Sequence, residues 1–377
     1  MRVCVVAEFY PSDRDPVLGV WAHRQALAAR DAGADVRVLV LHRLVPPEAS
    51  LRDGSWRREL RARLREPRTQ ERDGLPVSYV PFVSTPRARA YARWGAWAAP
   101  ALAIALRRGP RFDLVHAHNA VPAGDAVRRA RVPAPLVVSV HGGDVLFTAH
   151  RAAGGERAVR RALHAARLTL ANSRGIAAEA ERHGAQRTRV VHLGTDLPPA
   201  AAEPDDPRSV VSVGHLVARK RHADVIRALA TLADVRYVVI GDGPERPALE
   251  RLAAELGVDA RFLGQLPHDR ALAAARRCAV LAMPSVDEAF GVAYAEALAC
   301  GVPAIGCRGE GGPEEIAALG EGMLLVPPGD VEALAATIAE ALSDAALPEA
   351  ARRTAAEHLS WERCGRATVA AYEAALR

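Results

Sequence analysis

Lysine is all but missing from this 377-residue chain: of its 50 basic residues only Lys220 is not an arginine. Arginine therefore serves wherever a generic positive charge suffices. One compact, mobile ammonium remains, a group suited to a phosphate oxygen as a point charge. Aromatic residues are scarce at 5%, so the cores must be built from Ala, Val and Leu. The five cysteines, Cys4, Cys278, Cys300, Cys307 and Cys364, are odd in number and scattered. With no Cys-x-x-Cys and no Cys/His cluster at metal spacing, they predict reduced thiols in a cytoplasmic protein. The apolar run at the start is short and interrupted by Glu8, which predicts no signal peptide. No stretch approaches the ~20 uncharged apolar residues of a spanning helix. Neither sign of charge dominates: 44 acidic residues are mixed with the basic ones for a formal net charge of +6. That balance argues against a nucleic-acid partner. It leaves a weak attraction to anionic membrane surfaces or phosphorylated ligands.

What is present is alternation. Short β-branched runs at Val3–Ala7, Val36–Leu41, Val77–Val83, Leu114–Ala117, Leu136–Val140, Leu168–Ala171 and Val190–Leu193 read as buried strands, with amphipathic segments such as Ala22–Ala32 and Gly154–Ala166 among them. The pattern stops at a polar, proline-rich stretch over 198–207, read as a linker. It then restarts with strands at Val210–Val213, Tyr237–Gly241, Arg261–Leu263, Val280–Met283 and Pro303–Gly306, separated by helical segments. The βαβα order predicts two α/β domains with doubly wound parallel sheets, 1–197 and 208–361. In such sheets ligands sit beyond the carboxyl ends of the strands, near helix N-termini. Lys220 follows the first strand of the second domain, where a ligand is expected.

The most specific constellation is Glu288-Ala-Phe-Gly-Val-Ala-Tyr-Ala-Glu296. Phe290-Gly291 fits the start of a helix, so that Glu288 precedes it and Glu296 lies two turns in. The Gly291 and Val292 amides then become free donors at a positive helix end, ready for a phosphate. Two unrelated surface glutamates are the plainer reading of the pair alone. Pro284-Ser285 before it and Ala299-Cys300-Gly301-Val302-Pro303 after it make the whole string specific. Asp13-Arg14-Asp15 is formally an Asp-x-Asp, but it sits between Pro11 and Pro16 and reads as a turn, not a metal site.

This string resembles the signature of the retaining family 4 (group 1) glycosyltransferases, which have the GT-B fold of two Rossmann-like domains facing a central cleft. Further stretches resemble the family: Val213-Gly214-His215-Leu216 with Lys220, Ile240-Gly241-Asp242-Gly243-Pro244, Phe262-Leu263-Gly264, and Gly311-Gly312-Pro313-Glu314-Glu315-Ile316. In the first half His116-Ala-His118, Val140-His141-Gly142-Gly143-Asp144 and Gly194-Thr195-Asp196 do so. The resemblance implies roles. Lys220 would neutralise the donor diphosphate and the charge growing on the leaving group. Gly214 and His215 would line the same phosphates, His215 standing where many members have Arg. Glu288 would bind hydroxyls of the transferred sugar, and Glu296 the ribose. Phe290, Gly291 and Val292 would frame the nucleotide, Gly264 would lie beside its base, and Gly19 would bring backbone near the diphosphate. His141 would contact the sugar near the reacting carbon. His118 and Asp144 would belong to the acceptor side. His116 and His118, two apart on one strand, share a face, and where the strand stops decides which one is available.

The resemblance implies transfer of a hexosyl group from a nucleotide sugar, UDP ahead of GDP on family frequency, to a hydroxyl of a sugar or lipid-linked acceptor. Retention of configuration without a metal or other cofactor is expected, as is a last helix, about 362–377, packed back on the first domain. Alternatives on the same fold are a sugar-phosphate phosphorylase or a nucleotide-sugar hydrolase or epimerase. Another is a non-catalytic nucleotide-sugar-binding partner. A nicotinamide enzyme is disfavoured because Gly241-Asp-Gly-Pro lacks the Gly-x-Gly-x-x-Gly spacing. Leu51–Arg72 is crowded with arginine, and Arg87–Arg108 interleaves Arg with Tyr91, Trp94 and Trp97. They suggest peripheral association with the cytoplasmic face of a membrane, with a solvated basic face and a core-packed helix as the alternative.

Overall fold

Runs of β-branched residues dictate where the sheets form, and in the computed structural model they form two of them. The structure describes residues 1–85, 90–151, 154–198 and 204–377. Part of the expected linker, and Arg87, Ala88 and Arg89 of the second basic stretch, lie outside these. The chain divides into two compact units, one of 1–192 with 364–377 and one of 193–363.

In the first unit the strands are β1 (Arg2–Ala7), β2 (Asp35–Arg43), β3 (Thr69–Arg72), β4 (Leu75–Phe82), β5 (Leu114–His118), β6 (Leu136–Val140), β7 (Leu168–Ala171) and β8 (Thr188–Val190). They pair in the order β3-β4-β2-β1-β5-β6-β7-β8, and only the β3–β4 pair is antiparallel. From β1 the chain winds outward to β2 and β4, then returns to place β5 on the other side of β1. The order therefore reverses between β1 and β5, which is where ligands of open α/β sheets bind. The expected strand at Val190–Leu193 lies earlier, at β8, and its end pairs Ala171 with Val190.

In the second unit β9 (Asp206–Val213), β10 (Arg236–Ile240), β11 (Ala260–Gly264), β12 (Cys278–Ala282), β13 (Ala304–Cys307) and β14 (Met323–Val326) form a wholly parallel sheet in the order β11-β10-β9-β12-β13-β14. Its reversal lies between β9 and β12. β9 begins within the expected linker because Asp206 pairs with Cys278. The core beneath it is aliphatic, with Leu216, Ile226, Val280, Ile305 and Ile338 fully buried. Each such side chain contributes about 1.5–3 kcal/mol by burial.

The last helix, Trp361–Leu376, starts in the second unit, but its residues from Cys364 onward belong to the first. There Gln25 Nε2 donates to Thr368 Oγ1 at 3.1 Å, and Tyr372 is buried. The two basic stretches differ in fate. The helix Trp56–Arg65 buries none of its residues. The helix Trp94–Arg108 instead buries Trp94, Leu102 and Leu106, and Tyr91 just before it is buried as well. The described part of the second stretch is therefore a core element, since its apolar residues have a sheet to pack on. No helix among the described residues is long and apolar enough to cross a membrane.

Candidate active site

In the second unit, the loop after β9 closes with a single 3-10 turn, Ala218–Lys220, fixed by the Lys220 amide donating to Val217 O at 2.9 Å. Across the strand-order reversal, the loop after β12 carries Glu288, whose amide donates to Glu310 Oε2 at 2.9 Å. The two loops meet: Lys220 Nζ donates to Glu288 Oε2 at 2.5 Å, with the side chains only 11% and 12% exposed. The lone lysine is thus ion-paired with the first glutamate of the sequence motif. The lysine stem passes within 3.6 Å of the position a Cβ on Gly214 would take, while His215 beside it is exposed.

The helix Val292–Ala299 follows, with Gly291 at its N-cap in the left-handed region (φ 82°) and no side chain capping it. A Cβ there would fall 2.2 Å from Cδ2 of Tyr294, so glycine is a steric requirement as well as a conformational one. Tyr294 is held by its hydroxyl, which donates to Met283 O at 2.5 Å. Phe290 is buried beneath the turn. The open helix end leaves backbone donors for an anion. Glu296, on this helix, lies 2.7 Å from His268 Nε2. His268 was invisible in the sequence, where it is one of 13 histidines; only the fold sets it against the motif. Gly264 ends β11 and bridges to Gly241. The structure thus gathers Lys220 with Glu288 directly, and places Phe290 and Gly291 at the entry of the adjoining helix and Val292 and Glu296 on it.

In the first unit, β5 stops at His118, and this separates the two histidines of the His-x-His pair. His116 is sealed: its Nδ1 lies 2.7 Å from the Tyr372 hydroxyl and its Nε2 2.7 Å from Ser139 Oγ. His118 instead pairs with His141, Nδ1 to Nε2 at 3.0 Å, the rings stacked with an interplanar angle of 1°. The other nitrogens, His118 Nε2 and His141 Nδ1, are buried without a hydrogen-bond partner, as is Trp21 Nε1 nearby. Burial pushes His141 down to about 4 and His116 to about 3, and holds His118 well below the usual histidine range. The imidazoles are therefore neutral at physiological pH. In a neutral pair joined by one hydrogen bond, one ring keeps a free N–H and the other a free lone pair, which suits a hydroxyl group.

Asp144, expected on the acceptor side, makes a local contact in the structure. It is buried, its Oδ2 accepts from the Ala120 amide at 2.8 Å, and burial raises its pKa. It ties the segment after β5 to the one after β6. Gly19 caps the helix Val20–Asp31 at φ 76°, and a Cβ would lie 2.2 Å from the Phe9 carbonyl carbon. Its close approach is to the loop after β1. Asp13 and Arg14 of the Asp-x-Asp pair with Arg72 and Glu59, and Asp15 Oδ1 accepts from the Leu18 amide at 3.0 Å.

Comparison with known proteins agrees with this architecture. Residues 195–358 match the family described as glycosyl transferases group 1, and residues 18–198 match glycosyltransferase family 4. The D-inositol 3-phosphate glycosyltransferase of Mycolicibacterium smegmatis is 31% identical over 300 residues, 70% of this chain and 68% of that protein. TuaC of Bacillus subtilis, named as a glycosyltransferase of teichuronic acid biosynthesis, is 28% identical over 362 residues, covering 90% and 88%. Among solved structures, the sucrose-phosphate synthase of Thermosynechococcus elongatus superposes with a TM-score of 0.76 at 20% identity, covering 99% of this chain and 98% of that one. With its two parallel-sheet α/β domains, the chain belongs to the group 1 (family 4) glycosyltransferases of the GT-B fold.

Proposed function

We propose that this glycosyltransferase moves a hexosyl group from a nucleoside-diphosphate sugar, UDP ahead of GDP, to a hydroxyl of a sugar or lipid-linked acceptor. Transfer would proceed with retention of configuration and without a metal ion, in cytoplasmic synthesis of a glycan, glycolipid or cell-surface polysaccharide. The observation that carries the reading is the meeting of Lys220 and Glu288, 68 residues apart, beside an uncapped helix end. A donor diphosphate would take over the ammonium. Glu288, released from it, would turn to the sugar hydroxyls, while Glu296 held the ribose. Lys220 and the helix end would then stabilise the charge that grows on the leaving phosphate, an effect worth several kcal/mol where the donors are fixed in advance. In the first unit the neutral His118–His141 pair, with one free N–H and one free lone pair, would hold a hydroxyl. The departing phosphate would accept the acceptor proton, so no protein nucleophile is required. The HepE protein of Anabaena, 21% identical over a shared fold (TM-score 0.72; 99% of this chain and 100% of that one), was solved with UDP and glucose, which favours UDP first.

The helix Trp56–Arg65 supports peripheral membrane association: Arg57, Arg58, Arg61 and Arg65 are exposed, as are Trp56 (38%) and Leu64 (61%). Absence of salt-sensitive sedimentation with anionic liposomes would remove that part alone.

The decisive experiment is a thermal-shift screen against UDP, GDP, ADP and their sugars. A ligand at 100 times its Kd stabilises by about 2.7 kcal/mol through mass action. UDP or a UDP-sugar should raise Tm, and Lys220→Ala should abolish the rise. An unchanged shift in that variant, or no shift with any nucleotide, sinks the assignment.

A further inference from the structure

The first unit contains a cavity of about 400 Å³, within the range of small-molecule sites. It lies at the carboxyl ends of β1, β2 and β4, with Glu8 and Phe9 from the loop after β1, Arg43 from the end of β2, and Tyr79 from β4. Trp94 and Arg63 complete the part that matters here.

The two arginines are built in. Arg43 Nε donates to Ser84 Oγ at 2.8 Å and its Nη1 to Val45 O at 2.8 Å, while the guanidinium lies 4.8 Å from the Trp94 ring centre. Arg63 Nη1 donates to Arg43 O at 2.9 Å. After these bonds each guanidinium still has a buried nitrogen without a partner, Arg43 Nη2 and Arg63 Nε. Among the described residues neither arginine has an ion-pair partner within 4.0 Å. Burial lowers the pKa of both, Arg63 lowers that of Arg43, and Arg14 that of Arg63; Glu8, Glu59 and Glu66 offset this only in part. Arg14 is itself paired with Glu59. Glu8, Asp15 and Glu66 also line the cavity, but none is ion-paired with either half-buried guanidinium, so an anion seated on both would be their first direct charge partner. Planar guanidinium forks grip phosphate or carboxylate in preference to neutral groups. The same cavity presents aromatic surface and a carboxylate, Glu8, which suit the faces and hydroxyls of a sugar. From its Phe9 wall, ring contacts run to Trp21 (6.4 Å) and on to His141 (6.2 Å).

We propose that this cavity receives an acidic sugar as acceptor, its phosphate or carboxylate held by Arg43 and Arg63. The proposal rests on the reading that the first unit binds the acceptor, and it narrows the substrate class from any hydroxyl to an anionic sugar.

The test is calorimetric titration of the full chain with glucose 6-phosphate, glucuronate, glucose and, separately, UDP. At least one acidic sugar should bind tenfold or more tightly than glucose; the phosphate or the carboxylate arm then identifies the group recognised. Arg63→Gln should weaken that binding at least tenfold and leave UDP affinity within twofold, whereas Lys220→Ala should do the reverse. Arg63→Lys, which keeps the charge, should recover part of the loss. Arg43→Gln is a second variant, read by the same loss. Glucose binding as tightly as both acids, or acid binding indifferent to Arg63→Gln, overturns the proposal. Acid binding that depends on Arg63 in a protein that ignores UDP would support this site while refuting the donor reading.

Discussion

His118 and His141 stack with their ring planes 1° apart and share one hydrogen bond, 3.0 Å long, while each leaves its other nitrogen buried and bare. Two neutral rings at one end of β5 and β6 are thereby locked to each other and left one donor and one acceptor short. The arrangement holds only while both stay neutral, which links it to acid stability.

His116 and His141 have folded-state values of about 3 and about 4, and His222 about 4, against 6.5 in the unfolded chain. As pH falls below about 6.5 the unfolded chain takes up protons that the folded chain refuses. Stability is therefore complete above about 6.5 and declines down to the folded values, by about 1.4 kcal/mol per pH unit for each such histidine. Urea unfolding at pH 7 and pH 5 should show the drop. In His222→Gln the drop should be smaller, whatever the variant's stability at pH 7. An equal drop in both proteins would refute the assignment.

Gly19 and Gly54 share φ 76°, yet a Cβ at Gly19 meets Phe9 backbone at 2.2 Å and one at Gly54 meets nothing within 4 Å. Gly54→Ala should cost only the left-handed backbone penalty of about 1–2 kcal/mol. Gly19→Ala should add about 1–3 kcal/mol of overpacking and displace the loop after β1, which walls the acceptor cavity. Denaturant midpoints of the two variants settle the comparison; equal losses would mean that the loop yields freely.

Tyr372 is the only partner of His116 Nδ1 that the last helix supplies among the described residues. Tyr372→Phe leaves that buried nitrogen unpaired and should cost about 1–3 kcal/mol in urea unfolding. Ser139→Ala, which strips the other nitrogen, should cost a similar amount. A double variant well short of the sum would show that the two hydroxyls act through one imidazole.

What could be read from the sequence divides along physical lines. Strands buried on both faces, such as β1 beyond Arg2 (Val-Cys-Val-Val-Ala) and β6 (Leu-Val-Val-Ser-Val), are unbroken buried runs, and were legible. β3, Thr-Gln-Glu-Arg, is an edge strand with alternate residues exposed; it carries no apolar signal and exists because β4 offers it a partner. β14, the opposite case, is a short apolar run, Met-Leu-Leu-Val, too brief to distinguish from a buried helix turn. In the site, Lys220, Glu288 and Glu296 were legible because glycines and prolines hold their spacing around loops. His268 reaches Glu296 only through the fold, and Arg43 and Arg63 vanish among 49 arginines (50 basic residues less Lys220) until burial sets them apart.

The Lys220–Glu288 contact makes a prediction separable from catalysis. Both side chains are close to nine-tenths covered, so removing either partner strands a charge with little water to receive it. Lys220→Ala leaves a carboxylate and Glu288→Gln leaves an ammonium, and each should destabilise the ligand-free protein. In Lys220→Ala/Glu288→Gln neither charge remains, so the double variant should be more stable than the summed losses imply, by a coupling of about 1–3 kcal/mol. Urea unfolding of the four proteins without ligand measures it. Additivity within about 0.5 kcal/mol would show that the pair contributes nothing before donor binds. Nucleotide then separates the partners. On the proposed donor reading UDP would compete with Glu288 for the ammonium, so Glu288→Gln should bind UDP at least as tightly as the parent while losing kcat with a UDP-sugar. Lys220→Ala should lose UDP affinity tenfold or more, the size of one charge-assisted contact. Loss of UDP affinity in Glu288→Gln would mean that the carboxylate orients the lysine for the diphosphate instead of guarding it.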